Sequence, residues 1–161
     1  MKARDIMTHP ARTVREDSTL EDAARSMLAH NIGCLPVTNS EGKLVGILTE
    51  SDFAAKEKGI PFSLYRFPQV FGDWLPKKGV EKMYAAARSR RVGEFMSRAV
   101  ACVDVADELE VVITKMQKTG FHRLPVVADG LPVGIIARHD LLRLIVTNGG
   151  LQIIPAEGDK K

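Results

Sequence analysis

The chain has 161 residues and a mass of 17.7 kDa, with 45% apolar and 27% charged residues, so it is one domain or two small ones sharing a core. Lys plus Arg exceed Asp plus Glu by only 23 to 20, a weaker basic footprint than a nucleic-acid binder shows. Two cysteines, Cys34 and Cys102, exclude a disulfide framework and a four-cysteine zinc site. The richest apolar stretch is interrupted by Arg138, His139, Asp140 and Arg143, short of the ~18–20 residues a membrane span needs. Residues 1–5 are charged and open no signal-peptide core. A soluble cytoplasmic protein is expected.

In chain order, each repeat reads as strand, helix, hairpin and helix: after a short strand at 12–14 (101–103 in the later part), a helix begins in Ser18-Thr19-Leu20-Glu21, a capping-box pattern in which the serine caps and the glutamate reaches back. Leu20, Ala23, Ala24, Met27 and Leu28 follow at the spacing of an amphipathic helix. Two β-rich runs come next, residues 34–38 and 43–49, on either side of Asn39-Ser40-Glu41-Gly42. A second helix is expected near 51–58. The later part of the chain repeats this order. Asp107 is the expected cap, Leu109, Val112, Ile113 and Met116 form the stripe, and Gly120 stops the helix. Strands at 124–128 and 131–136 flank the turn pair Asp129-Gly130, and a helix follows at 139–147.

The repetition is literal. A shift of 89 positions places Met7 on Met96, Val14 on Val103, Leu20 on Leu109 and Leu35-Pro36-Val37 on Leu124-Pro125-Val126. With one residue deleted in the turn, Val45-Gly46-Ile47 meets Val133-Gly134-Ile135 and Asp52 meets Asp140. The chain divides into repeat one (1–58), an insert (59–91), repeat two (92–147) and a tail (148–161). Neither repeat is large enough to bury its sheet face alone, so the two are expected to pack together. The insert carries six aromatics, Phe62, Tyr65, Phe67, Phe71, Trp74 and Tyr84. It reads either as a packed arm over a cleft or partner, or as an arm filling space on its own module.

Met-Thr or Met-Ser, a capped helix, Leu-Pro-Val and then Gly-Ile-Leu-Thr-x-x-Asp, twice in order, resemble the cystathionine-β-synthase (CBS) domain. Two copies resemble the tandem pair called a Bateman module. The resemblance implies an α/β fold of the α+β kind: two βαββα units packed by their sheets around a pseudo-twofold axis, leaving two clefts. It also implies a regulatory module that needs no cofactor, takes an adenine nucleotide (AMP, ADP or ATP) as its ligand, pairs into a homodimer and signals to a separate protein. S-adenosylmethionine is the alternative ligand.

Carried over residue by residue, the resemblance assigns Asp52 and Asp140 to the ribose hydroxyls, since a carboxylate offers two oxygens to two adjacent donors. Each aspartate also opens a helix, and serving that helix is the competing role. Thr49 is assigned to phosphate or ribose; Ala137 replaces it in repeat two, where Arg138 and His139 stand next door. His122 and Arg123 precede the second Leu-Pro-Val and are assigned to phosphate, against the alternative of a solvated arginine at a strand start. The adenine wall is expected from Thr13, Val14, Ile32, Leu35 and Pro36 and from Cys102, Val103, Phe121, Leu124 and Pro125.

No nucleophile-elbow, phosphate-loop or His-Glu-x-x-His motif is present, and the four histidines are scattered, so neither catalysis nor metal binding is expected. Nucleic-acid binding through Lys77, Lys78, Lys82, Arg88, Arg90 and Arg91 beside Trp74 and Tyr84 is the rival reading; a solvated helix face is the simpler account. An apolar face of Leu20, Ala24, Met27 and Leu28 is the expected dimer surface.

Overall fold

The computed structural model describes residues 1–54 and 85–146. The six insert aromatics and the tail lie outside them. The elements run α1 (Ala3–Ile6), β1 (Val14–Arg15), α2 (Leu20–His30), β2 (Cys34–Thr38), β3 (Leu44–Thr49) and α3 (Glu50–Ala54). After a 3₁₀ turn at Val92–Glu94 come β4 (Val103–Asp104), α4 (Leu109–Thr119), β5 (Arg123–Ala128), β6 (Leu131–Ala137) and α5 (Arg138–Val146). The fold is mixed α/β, with two three-stranded sheets ordered β1-β2-β3 and β4-β5-β6.

In each sheet the short first strand lies parallel to the middle strand, and the middle strand is antiparallel to the third. Proline in a middle strand is unusual, because it cannot donate to a ladder. Here β1 pairs only with Val37 and Thr38, and β4 only with Val126 and Val127. Pro36 and Pro125 therefore sit beyond the end of the short strand. Both hairpins also slip register at the same place, after Val37 and after Val126. The second hairpin turns through Asp129 and Gly130, both at positive φ (52° and 80°), as a primed two-residue turn requires.

The cap of α2 is one residue later than the sequence pattern suggests. Thr19, not Ser18, is the N-cap: its hydroxyl accepts from the Asp22 amide (3.1 Å), and the Asp22 carboxylate accepts from the Thr19 amide (3.2 Å). In the second repeat the N-cap is Glu108, whose side chain makes no cap bond and accepts from the Met1 ammonium (3.3 Å). Asp107 instead accepts from the Asp104 amide (2.9 Å) and so closes the preceding turn. Gly120 ends α4 in the left-handed region, as expected (φ 70°).

Two apolar cores form, and each is completed by the other repeat. Val14, Leu20, Ala23, Met27, Leu35, Val37 and Leu48 pack with Val92 and Met96. Val103, Val112, Met116, Leu124, Val126 and Ile136 pack with Ala3 and Ile6. The exchanged segments are stitched by matched backbone bonds: Ile47 and Ser97 bond reciprocally (3.0 and 2.9 Å), as do Thr8 and Ile135 (2.9 and 3.0 Å). A Cβ on Gly46 would overlap Met96 Sδ, and one on Gly134 would overlap Met7 Sδ. The Met and Gly positions of the repeat thus form one contact made twice, as a pseudo-twofold arrangement demands. The expected dimer face is corrected in part. Leu20 and Met27 point into their own core, whereas Leu28 stands 83% exposed.

Candidate functional site

The reciprocal packing opens a cleft between the repeats, a cavity of about 250 Å³. Ile47, Thr49, Ser51 and Asp52 line it from the end of β3 and the start of α3. Ser97, Val100 and Ala101 line it from the stretch before β4, and Phe121, His122 and Arg123 from the start of β5. The lining mixes apolar side chains (Ile47, Val100, Ala101, Phe121) with polar and charged ones, the usual make-up of a small-molecule site. The volume lies just under the ~300 Å³ lower bound of such pockets.

Asp52 is 3% exposed. Its Oδ2 accepts from the Thr49 amide (2.7 Å) and the Thr49 hydroxyl (2.8 Å), so the carboxylate caps the first turn of α3. Helix service and a place in the cleft coincide in this residue. A carboxylate has about four acceptor positions, so the cap does not exhaust it. The Thr49 hydroxyl, having given its proton to Asp52, faces Ser51 Oγ at 2.8 Å as acceptor. Ser51, which donates in that contact, also lines the cleft. Asp140 repeats the arrangement: 7% exposed, it accepts from the Ala137 amide (2.7 Å) and lies 3.6 Å from Arg143 Nη1.

His122 and Arg123 are held by the backbone. The His122 carbonyl accepts from the Arg138 amide (2.9 Å), and Arg123 pairs with Ala137 in the sheet. Phe121 follows the left-handed Gly120, and its amide donates to the Thr119 hydroxyl (3.3 Å). The structure thus brings together Thr49, Asp52, Phe121, His122 and Arg123 from the expected set. Arg138 and His139 are exposed at the start of α5 and do not line this cleft.

The expected adenine wall divides. Val14, Leu35, Pro36, Val103, Leu124 and Pro125 are buried in the two cores. Ile32 packs partly against the first core, Thr13 is exposed, and the half-buried Cys102 uses its carbonyl to accept from Lys115 Nζ. Ile47, Ser51, Ser97 and Val100 are cleft residues that the motif did not single out. Ser97 and Val100 come from the segment that crosses to the other repeat, so the clue was the repeat itself: that segment carries the matched Met.

Two further groups bear on the chemistry. Burial pushes the Cys34 thiol up to about 11, with nearby Arg123 acting to lower it and Glu50 to raise it. Arg90, one of the insert's basic residues, is engaged by Glu94 (Nε to Oε2, 2.8 Å) and stacks 5.3 Å over Phe95. Among the described residues no group of His, Cys, Asp and Glu is placed to hold a metal, and no helix is long and apolar enough to cross a membrane.

Comparison with known proteins adds the relatives. The CBS domain family model matches residues 3–59 and 92–147. The chain is similar to the CBS domain of a CBS domain containing membrane protein from Sphaerobacter thermophilus: 42% identity, TM-score 0.72, covering 89% of this chain and 87% of that one. It is also similar to the CBS domain pair of protein MJ0100, solved with 5′-methylthioadenosine and S-adenosyl-L-methionine: 26% identity, TM-score 0.65, covering 91% and 96%. Among curated proteins it is 29% identical over 134 residues to the chloroplastic CBS domain-containing protein CBSX1 of Arabidopsis thaliana, covering 81% of this chain. The chain spans 57% of that relative's length and 42% of another, the uncharacterized protein MJ1225 of Methanocaldococcus jannaschii. Two matched repeats, their reciprocal packing and the cleft between them place this chain in the CBS domain family, as a tandem pair.

Proposed function

We propose that the chain is a non-catalytic regulatory module that binds an adenine nucleotide in the cleft and signals to a separate protein. One observation carries the reading. Asp52 and Thr49 of the first repeat and His122 and Arg123 of the second line the same cavity, which supports a carboxylate for ribose and a cationic group for phosphate in one site. The bound ligands of MJ0100 support the adenosyl half. They carry no phosphate, and this favours S-adenosylmethionine as the second reading.

Calorimetry with adenosine, AMP, ATP and S-adenosylmethionine separates the two. Preference for AMP or ATP over adenosine is expected, falling to parity in Arg123→Ala; equal binding of adenosine and AMP by the wild type overturns the phosphate assignment. Asp52→Ala should weaken every adenosyl ligand by about 1–3 kcal/mol through lost ribose bonds, and unchanged affinity removes the ribose role. A homodimer is part of the proposal. Leu28 on α2 and Leu142, Ile145 and Val146 on α5 supply exposed apolar surface for a second copy, and light scattering at micromolar concentration tests it.

A further inference from the structure

Gly33 stands where His122 stands in the second repeat, and its backbone is not in the left-handed region. The reason for glycine is a close approach. A Cβ there would lie 2.9 Å from Glu50 Oε1 and 3.0 Å from Arg123 Nη2. Two atoms each about 3 Å from one point are at most about 6 Å apart; both side chains are exposed and stand short of a direct ion pair, within range of screened Coulomb attraction. The guanidinium therefore reaches from the second repeat over the start of β2, toward a carboxylate on α3. Glu50 lies next to the cleft residues Thr49 and Ser51, and its amide is anchored to the Gly33 carbonyl (3.2 Å).

We propose that Glu50 is a selectivity-setting residue: its charge attracts Arg123 across Gly33 in the ligand-free protein, and a phosphorylated ligand binds by competing with that carboxylate for the guanidinium. Arg123 is at once a cleft residue and the cation that approaches Glu50 of the first repeat, so these two uses compete. The opposite influences of Arg123 and Glu50 on the Cys34 thiol follow from the same placement of both charges at this junction. Glu50 touches no ligand in this scheme; it acts through Arg123.

The inference rests on the nucleotide reading above, and the experiment separates the two. AMP and adenosine are titrated calorimetrically into wild type, Glu50→Gln, Arg123→Ala and the double variant. Exposed, screened ion pairs contribute little, so Glu50→Gln should tighten AMP by about two- to five-fold and leave adenosine unchanged. The gain should shrink with added salt and vanish in the Arg123→Ala background. In parallel, urea denaturation of the same four ligand-free proteins gives the Glu50–Arg123 coupling from a double-mutant cycle. An AMP-to-adenosine ratio unchanged by Glu50→Gln overturns the proposal, and so does an equal gain in the Arg123→Ala background. AMP preferred over adenosine with zero coupling overturns this proposal alone. No binding of AMP by the wild type overturns the nucleotide reading and, with it, the role of Glu50.

Discussion

Asp52 shows how one residue serves fold and site together. Capping the Thr49 amide fixes the carboxylate's rotamer and depth, so the group that secures α3 also meets the cleft already oriented. The motif made this aspartate legible, because the same spacing occurs at Asp140. It did not reveal that the Thr49 proton is spent on Asp52, since hydrogen-bond direction depends on the folded turn. Nor did it reveal Gly33 as the floor beneath two charges; sequence registers only that repeat one lacks the His-Arg pair of repeat two. Cys34, buried at the start of β2, gives a pH prediction. Its thiol is raised from 9.0 to about 11 in the folded protein, chiefly by burial. The folded state therefore holds the proton where the unfolded chain has lost it. That contribution to stability is complete below about pH 9 and is lost as pH rises toward 11. Urea denaturation between pH 8 and 10.5 should show a steeper decline for wild type than for Cys34→Ala, by at most about 1.4 kcal/mol per pH unit. Parallel declines would place the thiol in a far more open setting than this one.

At the scale of elements, periodicity and turn chemistry were informative because each is local. Cys34–Thr38 forms the expected strand, and Asp129-Gly130 makes the expected turn. The α2 stripe was also correct as a list of apolar positions. Periodicity does not say which core receives each side chain, and Leu20 and Met27 turned inward. The Met-Gly contact was beyond local reading altogether, since its partners, such as Gly46 and Met96, are in different repeats. It can be tested directly. Gly46→Ala places a Cβ against Met96 Sδ and beside the Ser97 carbonyl at 3.1 Å, so overpacking should cost about 1–3 kcal/mol. Met96→Ala in the same chain should recover part of that loss by vacating the space. Thermal or urea denaturation of the three variants reads the difference; an additive double variant would mean that the two side chains do not meet.

For the whole molecule, the consequence of exchanged segments is mutual dependence. The first sheet keeps Val92 and Met96 from the second repeat, and the second sheet keeps Ala3 and Ile6 from the first. A ligand in the cleft therefore touches both units at the place where they complete each other: Ser97 lines the cleft and bonds Ile47 across the repeats. The exchange predicts an asymmetric response to truncation. Residues 1–8 contribute Ala3 and Ile6 to the second core, the Met7 contact at Gly134 and the reciprocal bonds between Thr8 and Ile135. Removing them leaves a cavity where Ile6 stood, for which a loss of about 2–5 kcal/mol is the expected scale. Hydrogen exchange on the shortened chain should show β4, β5 and β6 losing protection first, while β2 and β3, whose core takes Val92 and Met96, keep theirs. Equal loss in both sheets would show that the two cores unfold as one unit, and unchanged protection would show that the N-terminal segment contributes nothing to the second core.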